Sequence, residues 1–199
     1  MSKNLLVIFT RNPELGKVKT RLAKTIGDEN ALTIYKTLLD RTEKTVREID
    51  CDKAVFYSEK IRKNDIWDSS IYQKYQQRGN DLGERMLNAF SEAFNRNYEN
   101  VVIIGSDLYD LNNKHITEAF ERLNKYDIVL GPAHDGGYYL LGMKSLYSQV
   151  FNNKNWGTST VFKDTLNDLQ DQSVHLLETL NDIDVYDDLK NIKAFKKYL

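Results

Sequence analysis

One cysteine, Cys51, and three histidines are all that this chain of 199 residues offers as soft metal ligands. A lone thiol cannot close an internal disulfide, and so few Cys and His leave no zinc site of the usual kind. Cys51 reads instead as a small, half-buried residue beside a strand. An excess of one charge is also missing. The 28 Lys and Arg stand against 29 Asp and Glu, without the basic surplus that marks a nucleic-acid binder. That balance still allows a local basic patch for a small phosphorylated ligand. Long hydrophobic runs are absent as well. Leu5–Phe9 is too short for a signal-peptide core or a membrane span, and nothing later approaches spanning length. No membrane partner is expected, and the expected compartment is the cytoplasm. With only two prolines and no linker, repeat or low-complexity tract, residues 1–199 read as one domain.

What is present is alternation. The continuous apolar runs Leu5–Phe9 and Val101–Ile104 are expected of strands buried on both faces. Lys53–Tyr57, Ile71–Gln76, Ile128–Leu130, Gly137–Met143 and His175–Leu177 read as further strands. Between them lie helical patterns: Asp28, as cap, to about Arg47; a stripe of Leu82, Met86, Phe90 and Phe94 beginning near Asp81; Ile116, Phe120 and Leu123; Thr158–Leu169; and Val185–Tyr198. Strands alternating with helices imply an α/β fold, a mostly parallel sheet covered on both faces. Leu5–Phe9, Val101–Ile104 and Ile128–Leu130 are the most apolar, so they are expected side by side at its centre. In such sheets ligands sit beyond the carboxyl ends of the strands, which makes the loops after strands the place to search.

Four stretches carry candidate chemistry. After the first strand, Arg11, Lys17, Lys19 and Arg21 lie within one short segment against a single acid, Glu14. Cations there suit a phosphate, and Gly16 lets backbone approach it. The segment is not a P-loop, because Lys17 is followed by Val18, and no Gly-x-Gly-x-x-Gly fingerprint occurs anywhere. A solvated basic loop is the plain alternative. Asp107, in Gly105-Ser106-Asp107, follows a buried strand and is placed to hold a divalent cation on a substrate's phosphates, or simply to cap a helix. His134-Asp135-Gly136-Gly137 offers Asp135 as a base or a hydroxyl acceptor, with two glycines that allow close approach or build a turn. Asp182 and Asp184, which point the same way if extended, are a second source of metal ligands or an acidic helix start.

Taken in order, Gly16–Leu22, Gly79–Met86, Gly105–Asp107, Gly131–Tyr139, Trp156–Thr158 and Asp182–Asp184 resemble a family of small bacterial GT-A-type proteins. These are described as nucleotide-diphospho-sugar transferases and sometimes tied to arsenosugar biosynthesis. The likeness runs from near residue 5 to near 190. It implies a single-domain, Rossmann-like GT-A sheet binding a nucleoside-diphosphate sugar and an acceptor with Mg²⁺ or Mn²⁺. By that resemblance Arg11, Lys19 and Arg21 would meet phosphates, and Asp81, Gly83 and Arg85 would line the nucleotide pocket. Asp107 with Asp182 and Asp184 would hold the metal. Asp135, the catalytic candidate, would lie with Gly136, Gly137, Trp156 and Thr158 on the sugar or acceptor side. The family pattern usually carries Lys where Arg11 stands, and Pro where Tyr109 and Tyr186 stand.

The reading that follows is a metal-dependent glycosyltransferase. Two alternatives stay open: a nucleotidyltransferase similar to the phospholactate guanylyltransferases, and a nucleotide-sugar binder without turnover. Base, sugar, acceptor, stereochemical outcome and oligomeric state are left open by the sequence.

Overall fold

The structure is a computed structural model and describes residues 2–190 and 192–198. Seven strands form one sheet: β1 (Asn4–Thr10), β2 (Asp52–Tyr57), β3 (Tyr72–Gln76), β4 (Asn100–Gly105), β5 (Ile128–Pro132), β6 (Tyr138–Met143) and β7 (Val174–Leu176). Their spatial order is β3-β2-β1-β4-β6-β5-β7. Every neighbouring pair is parallel except the two made by β6, which runs antiparallel between β4 and β5. The expectation of three adjacent apolar strands therefore holds for β1 and β4 only. Residues 133–137 turn the chain straight back from β5, so β6 takes the slot beside β4 and moves β5 one place outward.

Alternation along β1 and β4 sorts the core. Leu6, Ile8, Val102 and Ile104 pack on one face with α2 (Asp28–Val46) and α4 (Asn113–Leu123), while Leu5, Val7, Val101 and Ile103 pack on the other with α3 (Leu82–Asn95). On the α3 side Phe162 and Leu166 of α5 (Val161–Asn167) complete the cover. Asp28 is the first helical residue of α2, and Gly27, with φ of 82°, is its cap. Asp81 does cap α3, accepting the Glu84 amide at 2.8 Å, a bond of a kind worth about 1 kcal/mol.

Two further expectations change. The basic segment is not all loop: α1 (Thr20–Ile26) starts inside it. The expected helix Val185–Tyr198 is two 3₁₀ segments, Tyr186–Leu189 and Lys193–Tyr198, with Asn191 outside the described residues. These segments pack Leu189 and Phe195 against Leu22, Ile34 and Leu38 in a satellite cluster over α1 and α2. Tyr109 and Tyr186 join it, and the Arg41 guanidinium lies 4.3 Å from the Tyr109 ring centre. The two tyrosines thus work as packing residues, and Asp107 still faces the sheet edge.

Candidate active site: two clefts sharing Asp107

The parallel register of β1 and β4 pairs Phe9 with Gly105, so Thr10–Arg11 and Ser106–Asp107 leave the sheet together. Because β6 is antiparallel and pairs Leu140 with Ile104, its start also lies at that edge. The Asp135–Gly137 turn therefore arrives there too. β7 runs parallel to β5, and a bridge between Ala133 and Leu180 brings the segment holding Asp182 alongside. Four sequence segments converge because strand direction leaves them no other end.

A buried hydroxyl network fixes this edge. The Tyr35 hydroxyl accepts the Arg11 amide at 2.9 Å and lies 3.3 Å from the Thr10 hydroxyl and 3.4 Å from that of Ser106. Ser106 and Thr10 meet at 3.2 Å, and Thr42 donates to the Ser106 carbonyl. Leaving such groups unpaired costs about 1–3 kcal/mol each, so α2 clamps the ends of β1 and β4 in one arrangement.

Two clefts open at the edge. One, of about 1200 Å³ with its mouth, is lined by Arg11, Lys17, Arg85, Asp81, Gln77 and Asn80 among others. The second, of about 660 Å³, is lined by Asp107, Asp135, Asp182, Tyr138, Trp156 and Thr158 among others. Asp107 and Leu82 line both and form the ridge between them. The first cleft is polar and holds the cations Arg11, Lys17 and Arg85 beside Glu59, Asp81 and Asp107, and we call it the cationic cleft for those three; the second is acidic and aromatic, with no cation among the described residues of its lining.

Asp107 is held by Lys19, whose Nζ donates to Oδ2 at 2.7 Å. Burial pushes the Asp107 carboxyl up, but the Lys19 ammonium outweighs it and holds the group below the usual carboxylate range. Burial likewise opposes the Lys19 charge, while Asp107, Asp184 and Asp182 together raise its pKa. Among the described residues Asp182 has no such partner. Burial first, then the neighbouring Asp135 and Asp107 against the opposing pull of Lys19, push its carboxyl up to about 6. Three carboxylates in one cleft leave surplus negative charge.

The donor set fits a hard divalent ion in part. Among the described residues no group of three or more His, Cys, Asp or Glu side chains is gathered into a ready cage. Mg²⁺, however, is commonly bound by one or two carboxylates plus substrate phosphates, which Asp107 and Asp182 match. Asp184 fits less well: its Oδ2 accepts from Arg21 at 2.6 Å, and neither residue lines either cleft. Arg21 is 68% exposed. Ile183 is buried between half-buried Asp182 and Asp184, and both carboxylates act on Lys19; the Asp188 carboxylate takes the amides of Asp184 and Val185 at 2.8 Å where the Tyr186–Leu189 segment begins.

The remaining candidates divide similarly. Arg11, Asp81 and Arg85 line the cationic cleft, with Arg85 anchored on the Gly79 carbonyl at 3.1 Å. Gly83 lines neither cleft. A Cβ there would fall 2.6 Å from the Trp156 indole nitrogen and 2.6 Å from the Phe151 carbonyl oxygen, so its smallness seats the indole. Asp135, Gly137, Trp156 and Thr158 line the acidic cleft; Asp135 accepts the Gly137 amide at 2.8 Å. Gly136, with φ of 88°, instead lets the backbone of Ser159 approach, where a Cβ would be 2.6 Å from its Cα. Sequence reasoning missed Leu82. It reads as part of the α3 stripe, yet it is 44% exposed on the ridge. The available signal is its place as the first helical residue after the Asp81 cap, which faces off the helix end rather than into the core.

The topology and the edge site define a class, the Rossmann-like α/β fold of GT-A transferases and nucleotidyltransferases. Within it, the chain belongs to the family described as "Uncharacterized protein conserved in bacteria (DUF2064)", which matches residues 41–158. A protein from Desulfovibrio desulfuricans G20, provisionally named a nucleotide-diphospho-sugar transferase, superimposes with a TM-score of 0.85 at 30% identity, over 98% of this chain and 91% of that one. A cytidylyltransferase from Leptospira borgpetersenii shares the fold, with a TM-score of 0.61 at 16% identity over 100% of this chain and 88% of its own. The 2-phospho-L-lactate guanylyltransferase of Methanocaldococcus jannaschii is 28% identical over 142 residues. That alignment spans 70% of this chain but only 59% of the guanylyltransferase. No helix of the described residues is long and apolar enough to cross a membrane.

Proposed function

We propose that this chain is a nucleotide-dependent transferase, and that it moves a glycosyl group from a nucleoside-diphosphate sugar to an acceptor hydroxyl. The observation that carries this reading is the ridge: Asp107 lines the polar cleft that holds Arg11, Lys17 and Arg85 on one side and an acidic, aromatic cleft on the other. Arg11, Lys17 and Arg85 suit the nucleotide and its phosphates, while Trp156, Thr158 and Asp135 suit a sugar with its apolar face and hydroxyls. The diphosphate then crosses the ridge at Asp107.

Within this reading Asp107 and Asp182 hold a divalent cation, Mg²⁺ or Mn²⁺, which when bound stabilises charge on the leaving diphosphate. Lys19 orients Asp107 and adds positive charge beside the phosphates. Asp135 accepts the proton of the attacking hydroxyl if the reaction inverts. Arg21 acts at second hand, by holding Asp184 near Lys19.

Nucleotidyl transfer is the second reading, favoured by the guanylyltransferase relatives. There the cationic cleft takes a nucleoside triphosphate, and the acidic cleft takes the phosphorylated or hydroxyl-bearing partner. The released product separates the two. With acceptor extracts, glycosyl transfer liberates a nucleoside diphosphate from an NDP-sugar, whereas nucleotidyl transfer liberates pyrophosphate from an NTP. Neither product, together with nucleotide binding, would leave a binder without turnover.

A further inference from the structure

A third cavity, of about 680 Å³, opens on the other side of the β1 loop, between α2, the end of β2 and residues 62–67. Its floor is apolar, built from Leu39, Ile66 and the buried rings of Tyr57 and Trp67. Three cations from three separate segments stand around it: Arg11, Lys36 and Arg62. Among the described residues, none of these three side chains makes an ion pair. Lys36 and Asp40 are one turn apart on α2 and both line the cavity, yet they do not close on each other either.

The acids do not balance this rim. Asp65 is fully engaged elsewhere, accepting the Tyr57 hydroxyl at 2.6 Å on one oxygen, and Lys74 at 2.8 Å and the Trp67 amide at 3.1 Å on the other. Asp40 remains, so cations outnumber free carboxylates three to one. Like charges gathered around an apolar floor repel one another and favour an anion between them. Two of the three are arginines, whose planar forks match phosphate oxygens in pairs. The floor in turn suits a ring or a hydrocarbon body.

We propose that this cavity is a second ligand site that takes a small phosphomonoester carrying an aromatic or aliphatic body. It is separate from the paired clefts and does not depend on how they are read. It does touch them: Thr10 and Arg11 line both this cavity and the cationic cleft. A ligand that takes the Arg11 guanidinium on one side changes the charge offered on the other. Occupancy of the two sites is therefore coupled, and coupling of binding is reciprocal.

Phenyl phosphate is the probe, titrated by calorimetry, with inorganic phosphate and phenol as its two halves. One molecule binds per chain, more tightly than either half. Arg62→Ala and Lys36→Ala touch this cavity but not the clefts, and each weakens binding about tenfold or more, the scale of one charge-assisted contact. Lys17→Ala, which alters the cationic cleft alone, leaves it within about twofold. In a Trp156→Phe background Trp67 is the remaining indole, and its emission changes on titration. Far-UV circular dichroism checks that each variant is folded. Three results overturn the proposal: no binding of phenyl phosphate at millimolar concentration; inorganic phosphate binding equally well; or loss of binding in Lys17→Ala with retention in Arg62→Ala and Lys36→Ala.

Discussion

Lys19 and Asp107 lie 88 residues apart in sequence and 2.7 Å apart in space, and the burial is lopsided: the lysine side chain is 5% exposed, the aspartate 37%. Lys19 also has φ of 48°, the left-handed region that a side chain disfavours. A strained, buried cation aimed at a partly open carboxylate marks where the fold gives up stability to place charge.

That strain is measurable. Lys19→Ala loses the ion pair and keeps the backbone cost, whereas Lys19→Gly loses the pair and relieves the backbone. In urea denaturation both variants are less stable than the parent, and Gly exceeds Ala by about 1 kcal/mol. Equal stabilities would show that the left-handed turn carries no cost.

Gly83→Ala tests the seating of the indole. With a methyl group forced against Trp156 and the Phe151 carbonyl, the segment holding Trp156 must shift, costing about 1–3 kcal/mol and altering tryptophan emission. An unchanged emission spectrum in a stable variant would place Trp156 elsewhere.

Asp182→Asn removes one of three carboxylates from a cleft with surplus negative charge. Its folded carboxyl is raised to about 6, above the usual unfolded value, so the ionised form costs stability above about pH 6 and nothing below about pH 4. The variant is therefore more stable than the parent at pH 7–8, by about 1 kcal/mol after allowing for solvent screening. A loss of stability there would mean that the carboxylate is compensated.

Asp127 has the opposite sign. It accepts the Ser173 hydroxyl at 2.6 Å and amide at 2.9 Å and pairs with Lys144 at 3.1 Å, which hold its carboxyl far below the usual range. Its stabilisation is complete above about pH 4 and is lost as pH falls. The stability gap between parent and Asp127→Asn, about 1 kcal/mol at pH 6 for this partly exposed group, closes toward pH 2. A gap independent of pH would contradict this.

These residues also show where sequence reading stops. Apolar runs and caps marked the strands and most helices, because burial of both sheet faces leaves an uninterrupted hydrophobic signal. α1 was hidden: its N-cap is a lysine in a left-handed turn with no capping side-chain bond, and the run of cations from Arg11 to Arg21 reads as loop. The slot of β6 was equally hidden, since strand order depends on which way the five-residue turn 133–137 sends the chain. At the site, the loops after β1 and β4 were legible from position alone. The pairing of Arg21 with Asp184 was not, because it joins residues 163 positions apart that only the fold brings together.

The transferase reading stands or falls on Asp107. Calorimetry of UDP, GDP, ADP, CDP and TDP, with and without Mn²⁺, on the parent and on Asp107→Asn tests it most directly. The expected result is that at least one diphosphate binds the parent about tenfold or more tighter with Mn²⁺, the scale of one strong charge-assisted contact, and that Asp107→Asn abolishes the enhancement while its circular dichroism is unchanged. An equal Mn²⁺ enhancement in the folded variant, or no diphosphate binding to the parent at all, would contradict it.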